Sequence, residues 1–244
     1  MGTMDEAELF GADYLYFYAD DVDGRAAAET DLIWRLLELG PGRDVLDLAC
    51  GHGRIANRLA ERGCQVVGLH SSPLFLDRAR RDAAERGAAV DYRQGDMRDL
   101  PWLERFDAIV SWFTAFGYFD DEGNRCVLAQ AAAALRPGGR FLLDLNNLAW
   151  TLRERSPVVP VAEKGDDLVV DRPVWDPLTG RVQVVRTTVR DGRARHTRFF
   201  VRLYTFTELR ALLLAAGFRR AEGYGDGGGP LTAASRRMIV VAHR

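Results

Sequence analysis

Residue types and spacing first suggest chemistry in the stretch Val45-Leu46-Asp47-Leu48-Ala49-Cys50-Gly51-His52-Gly53-Arg54. A buried strand there would deliver an acidic residue near its end, and a glycine turn would let backbone approach a ligand before a helix begins. Gly51-His52-Gly53-Arg54-Ile55-Ala56 matches the dinucleotide fingerprint G-x-G-x-x-A, a weak signal by itself. Asp47, four residues before the first glycine, discriminates. Its carboxylate repels a diphosphate and attracts a cationic amino-acid group. That favours S-adenosylmethionine over a nicotinamide dinucleotide.

Short apolar β-type runs alternating with helical stretches must position these residues. An aromatic-rich helix is expected over Glu6 to Tyr18, ended by the acidic turn Asp20-Asp21-Val22-Asp23-Gly24, with a second helix from Ala26 to Leu39. Strands follow at Asp44 to Leu48, Gln65 to Leu69, Ala89 to Arg93, Phe106 to Ser111 and Arg140 to Leu145. Between them lie a helix from Arg54 to Arg62, one opened by Pro73, and one from Glu122 to Leu135. Strands separated by helices pair in parallel. After Trp150 the rhythm changes: Val158 to Val161, Leu168 to Trp175, Arg181 to Arg190 and Arg193 to Tyr204 read as strands with no helices between them, an antiparallel insert. A helix from Thr207 to Ala216 and strands at Phe218 to Tyr224 and Met238 to Ala242 close the chain.

At this point the sequence resembles the class I S-adenosylmethionine-dependent methyltransferases, closely over Val45 to Leu145 and more loosely over Thr207 to Ala242. The resemblance implies that Asp47 lies near the amino-acid tail of the cofactor, with Ala49, Gly51 and Gly53 as backbone contacts. In Gln94-Gly95-Asp96-Met97 it implies that Asp96 accepts the adenine amino hydrogen and Met97 packs on the ring. Ser111-Trp112-Phe113 matches the segment that covers the cofactor, and Leu135-Arg136-Pro137-Gly138-Gly139-Arg140 matches the turn before the fifth strand. One position departs from the family. Where Asp or Glu normally accepts both ribose hydroxyls, this chain has His70, followed by Ser71. Neutral imidazole offers one acceptor and one donor, so the two-oxygen contact is lost. That costs about 1.5–3 kcal/mol, or about ten- to a hundredfold in affinity. Three readings stay open: His70 and Ser71 bind the ribose weakly, a neighbouring acid replaces the carboxylate, or cofactor use is altered or lost. A nicotinamide dinucleotide with a 2′-phosphate would also tolerate His70 and Ser71.

Other residues carry two readings each. Phe10, Tyr14, Phe17 and Tyr18 form either a packing stripe or a lid that excludes water and favours the sulfonium, with Tyr14 beside the reacting methyl and Tyr18 on the cofactor. His52 is expected to be a turn residue pointing outward; a cofactor contact is the alternative. The aromatic loop Thr114 to Phe119 resembles the segment of sugar N-methyltransferases that carries a polar residue beside the acceptor, at Tyr118 here. A phenol is a poor base near pH 7, so Tyr118 would orient the acceptor. Asn146, Asn147 and Trp150 either line the acceptor pocket or, for the asparagines, cap the next helix. The arginines of the insert (Arg186, Arg190, Arg193, Arg195, Arg198 and Arg202) are expected mainly to be solvated, with a substrate anion or a dimer contact as alternatives.

Composition excludes several classes. A 244-residue chain that is 47% hydrophobic and 10% aromatic can build a sizeable core. A formal charge of −2 argues against an electrostatic nucleic-acid binder. Lys164 is the only lysine, so 32 of the 33 basic residues are arginine. Cys50, Cys64 and Cys126 have no disulfide or zinc spacing and suit a reducing compartment, and no metal is expected. No secretory signal or membrane span is read, so a cytoplasmic location is expected.

The expectation is therefore an α/β, Rossmann-like, seven-stranded mainly parallel sheet with helices on both faces and an antiparallel β insert. It divides into a lid at 1–40, a cofactor-binding core at 41–150, an insert at 151–204 that roofs the site or pairs subunits, and a completing segment at 205–244. The expected function is methyl transfer from S-adenosylmethionine to a small-molecule nitrogen, oxygen or carbon nucleophile, leaving S-adenosylhomocysteine. Non-methylating chemistry on the same cofactor and a non-catalytic binding homologue are the rival expectations.

Overall fold

The computed structural model describes residues 9–154 and 156–244, with Asp20 described by its backbone alone. Helix α1 (Ala12–Leu36) leads into strand β1 (Asp44–Leu48), helix α2 (Arg54–Glu61), β2 (Gln65–His70), α3 (Pro73–Arg86), β3 (Val90–Gln94) and β4 (Phe106–Ser111). Helix α4 (Asp121–Ala134), β5 (Leu135–Asn146) and a short α5 (Leu148–Arg153) follow. The insert is β6 (Val159–Lys164), β7 (Asp167–Asp176), β8 (Arg181–Arg190) and β9 (Arg193–Arg202). Helix α6 (Phe206–Ala215), β10 (Arg220–Tyr224) and β11 (Arg237–His243) end the chain.

Seven strands form one sheet in the order β10-β11-β5-β4-β1-β2-β3, with β11 alone running against its neighbours. Alternation along the central strands explains why helices cover both faces. Leu46 and Leu48 of β1 and Phe106 and Ile109 of β4 pack on one side with Leu128 of α4 and Leu209 and Leu213 of α6. Val45, Ala108 and Val110 pack on the other with Ile33 of α1, Leu59 of α2 and Leu76 of α3. Strand order reverses between β1 and β4, so the carboxyl ends of these strands open a crevice, where such sheets take ligands. The four insert strands make a separate antiparallel sheet, β6-β7-β8-β9.

Two features differ from expectation. The first two helices are one: α1 runs unbroken through Asp20-Asp21-Val22-Asp23-Gly24. Tertiary packing overrides the weak helix propensity of these residues, because Ala19, Val22 and Ala26 are buried on the side of α1 that meets the core. Asp21 pairs with Arg25 one turn on. The expected start at Glu6 lies outside the described residues, and the described helix begins after Gly11. Leu135-Arg136-Pro137-Gly138-Gly139 is not a plain turn but the irregular start of β5, where the register to β4 shifts between Phe106 and Ala108. Helix α5, expected without a stated range, is the helix that the asparagines after β5 can cap: its first turn is capped by the Asn147 side chain, which accepts from the Ala149 N–H at 3.1 Å. No helix among the described residues is long and apolar enough to cross a membrane.

Candidate functional site

The crevice is a cavity of about 420 Å³ that reaches from the carboxyl ends of β1 to β4 to the inner face of the insert. Its volume suits a small-molecule site. Strand β1 delivers Asp47 to its floor, 2% exposed, and one carboxylate oxygen, Oδ2, has no hydrogen-bond partner. Burial pushes the Asp47 carboxyl up to about 7, against the opposing pull of Arg54 and the Ala56 N–H. An orphaned buried carboxylate facing a cavity is complementary to a cationic donor. The turn after it is strained, with Ala49 at φ 64°, a left-handed conformation unfavourable for a residue with a Cβ. Gly51 leaves open space beside it: an added Cβ would have Phe75 as its nearest neighbour, at 4.0 Å. Gly53 lies outside the cavity wall, and its φ of 82° and the Tyr92 hydroxyl packed where a Cβ would stand explain the glycine instead.

His52 does not point outward. It is 3% exposed, and its Nε2 lies 2.9 Å from Asp23 Oδ1. Arg54 of α2 pairs with Glu29 of α1, the helix that also carries Asp23. The continuous α1 carries both acids, so one helix braces the glycine turn at both His52 and Arg54.

At the end of β2 the His70 ring is 7% exposed and stacks on Phe75, centroids 5.0 Å apart. Its Nδ1 accepts the Ser72 N–H at 2.9 Å. Burial, then the nearby His52, lowers the imidazole to about 4. The ring is therefore neutral at physiological pH, with its proton on Nε2, and it offers the cavity a donor only. Ser71 lines the cavity beside it. After β3, Asp96 lines the wall and is held by Arg98, whose Nε lies 3.0 Å from both carboxylate oxygens and whose backbone N–H donates to Oδ1 at 2.8 Å. Met97 lines the same wall, 8% exposed.

Strand β4 ends in Ser111 and Trp112. Trp112 lines the cavity, while Ser111 sits beneath it; both Ser111 Oγ and Trp112 Nε1 are buried without a partner. Phe113 and Thr114 follow with φ of 62° and 57°. Two consecutive left-handed non-glycine residues require outside support. Asp144 of β5 supplies it by accepting the Phe113 N–H at 2.9 Å, and Arg237 of β11 donates to Asp144 at 2.8 Å and to Thr114 Oγ1 at 2.8 Å. Asn146 completes this network as a further acceptor for Arg237 and lines the cavity. Asn147 and Trp150 do not line it. The Asn147 side chain is occupied by the Thr232 and Ser235 carbonyls and the α5 cap, and Trp150 packs beneath Arg236.

Aromatic rings close the cavity. Tyr14 stacks on Tyr18 at 4.8 Å and tilts over Phe75 at 5.3 Å, while Phe10 meets Tyr118 edge-on at 5.6 Å. Burial raises the phenols of Tyr14, Tyr18 and Tyr118, the last to about 12. None is a phenolate near neutrality, so these side chains shape the site and donate hydrogen bonds. The Tyr18 hydroxyl is buried without a partner. Beyond the rings lies the insert, where Arg193, Arg195 and Arg198 are exposed as expected, while Arg186, Arg190 and Arg202 are half-buried. Arg190 pairs with Asp13 at 3.0 Å and covers the Tyr16 ring, and Arg202 pairs with Glu208. Arg186 turns into the cavity in a bidentate pair with Asp171. Sequence reasoning missed Asp171 and the Asp144–Arg237 pair, because each pairs residues on different strands and neither lies in a motif. Among the described residues no cluster of His, Cys, Asp and Glu could hold a metal ion.

A Rossmann-like sheet with an acidic strand end, a glycine turn and a roofed crevice defines a nucleoside-binding α/β enzyme. Residues 45–139 match the family model described as a methyltransferase domain. The chain is 30% identical to a glycine/sarcosine N-methyltransferase of Parasynechococcus marenigrum, over 91% of this chain and 81% of the relative. It is 32% identical to the cypemycin N-terminal methyltransferase of a Streptomyces species, over 83% and 84%. The solved structure of the CcbJ methyltransferase from Streptomyces caelestis superposes with a TM-score of 0.77 at 26% identity, covering 90% of this chain and 88% of that one. The chain belongs to the S-adenosylmethionine-dependent methyltransferases, and S-adenosylmethionine is its cofactor.

Proposed function

We propose that this chain methylates a small-molecule amine. The observation that carries the methyl-transfer reading is Asp47, which lines a cavity closed by tyrosines and whose buried Oδ2 has no hydrogen-bond partner. Its carboxylate would take the ammonium of the cofactor's amino-acid tail, with Ala49 and Gly51 as backbone neighbours. His70 would donate from Nε2 to a ribose hydroxyl beside Ser71, Asp96 would accept the adenine amino hydrogen, and Met97 and Trp112 would pack on the ring. When bound, S-adenosylmethionine supplies a sulfonium methyl that passes in line to the acceptor's lone pair and leaves S-adenosylhomocysteine. What the chain itself contributes is alignment and water exclusion. Holding two reactants in line can contribute about 7–11 kcal/mol. Tyr14, Tyr18 and Tyr118 would do this from the roof, with Tyr118 orienting the acceptor. In this reading 41–150 and 205–244 form the cofactor half and the insert at 151–204 forms the roof.

Nitrogen is favoured over oxygen or carbon by the two relatives, each named for methylation of an amine. Mass spectrometry of reactions with S-adenosylmethionine and a panel of amino acids and amino sugars tests the proposal. A product heavier by one methyl, absent with Asp47→Ala, is the expected result. A fragment derived from the cofactor would point to non-methylating chemistry instead, and methylated alcohols with no methylated amine would overturn the choice of nitrogen.

A further inference from the structure

Asp171 and Arg186 stand directly opposite each other on β7 and β8. The pair is bidentate, with Nε to Oδ1 and Nη2 to Oδ2 both at 2.8 Å. Cross-strand ion pairs usually face solvent, yet these side chains are only 15–16% exposed and line the cavity. The Arg186 guanidinium lies 5.1 Å from the Phe199 ring centroid and 5.7 Å from that of Tyr18. A buried ion pair is a poor stabiliser, since apolar residues of similar volume usually serve as well. Its position toward the cavity therefore asks for a ligand.

The chemistry of that ligand follows from the groups around it. Among the described residues three carboxylates line the cavity: Asp47 at the glycine turn, Asp96 held by Arg98, and Asp171 on the insert. Asp171 is thus the carboxylate on the side away from the strand ends. An ionised carboxylate only accepts hydrogen bonds, and the bidentate guanidinium leaves lone pairs on both of its oxygens. Tyr14, Tyr18 and Phe199 line the same cavity, and aromatic faces favour positive charge, as Arg186 over Tyr18 and Phe199 shows. An N–H on a nitrogen that becomes cationic as it is methylated satisfies both.

We propose that Asp171 is the acceptor-binding carboxylate of this enzyme, taking an N–H of a primary or secondary amine, and that Arg186 is the positioning residue that holds it. The inference rests on the cofactor assignment above. It does not require the acceptor to be known, because sinefungin, the cofactor analogue with a primary ammonium in place of the sulfonium methyl, carries a cationic N–H donor toward the acceptor side. Calorimetry would compare sinefungin with S-adenosylhomocysteine on the full chain. The wild type should bind sinefungin about tenfold more tightly, as one well-placed charge-assisted contact implies. Asp171→Asn should reduce that preference to about one while leaving S-adenosylhomocysteine affinity within about twofold. Asp171→Asn/Arg186→Gln, which leaves no uncompensated charge, should do the same. Arg186→Lys keeps the charge but not the fork and should lose part of the preference. A preference that survives both Asp171 substitutions, or a wild type that does not prefer sinefungin, overturns the inference. Failure of the wild type to bind S-adenosylhomocysteine at all would instead overturn the cofactor assignment on which it stands.

Discussion

Asp47→Asn should make the ligand-free protein more stable and a worse nucleoside binder. Asp47 is buried with Oδ2 unpartnered, and burial lifts its carboxyl from 3.8 to about 7. A carboxyl whose folded value is raised binds more protons folded than unfolded, so stability falls as pH rises between 3.8 and about 7. Above that window the ionised group costs up to about 4 kcal/mol, an upper bound at 1.36 kcal/mol per unit. Asparagine removes the charge but brings an amide with its own unmet hydrogen bonds, which leaves a net gain of about 2 kcal/mol. For a chain of this length that is about 5 °C in Tm. Thermal scans at pH 8 should show the gain, and scans near pH 4, where the folded wild-type carboxyl is protonated and little of the penalty remains, should show it fade. Calorimetry at pH 8 should show S-adenosylhomocysteine binding weakened by about thirtyfold or more, the worth of a partly buried ammonium–carboxylate contact. Near pH 6.5 the wild type should release protons on binding, because an ammonium partner pulls the Asp47 carboxyl back down. A Tm that drops at pH 8, or a gain that is the same at both pH values, would refute the reasoning.

His70→Asp should tighten S-adenosylhomocysteine binding about tenfold by calorimetry, since a carboxylate accepts where the Nε2–H can only donate; unchanged or weaker affinity would show that His70 does not face the ribose. Gly53→Ala should lower Tm by about 6–12 °C, because it combines a left-handed φ of 82° with a collision against Tyr92, whose hydroxyl donates to Asn57 Oδ1 at 2.7 Å. Tyr118→Phe should lower kcat about tenfold or less and leave the pH–rate profile unmoved up to pH 9. A phenol pushed up to about 12 is not a base in that range, so a lost basic limb in the variant would contradict the orienting role.

The α/β rhythm, the hairpin insert and the strand-end marks were all readable in sequence, because each depends on local periodicity or turn chemistry. Asp47, Asp96 and His70 could be placed at strand ends before any coordinate, since a parallel sheet puts consecutive strand ends on one edge. Continuity of α1 could not: its middle carries poor helix formers, and only the packing of Ala19, Val22 and Ala26 against the core decides the matter. The same continuity buries His52 against Asp23, a pairing across 29 positions that no local pattern encodes.

Sequence by itself determined which chemistry the edge of the sheet can perform, because a carboxylate, a glycine turn and an imidazole act through their own atoms and sit where the strands end. Tertiary structure alone decided how those atoms are tuned and what they face. Desolvation lifts Asp47 and lowers His70, and the Ser72 N–H fixes the imidazole proton on Nε2. Opposition of β7 to β8 turns an arginine expected to be solvated into half of a buried pair with Asp171. Burial and cross-strand register are properties of the folded chain as a whole, and a linear sequence states neither.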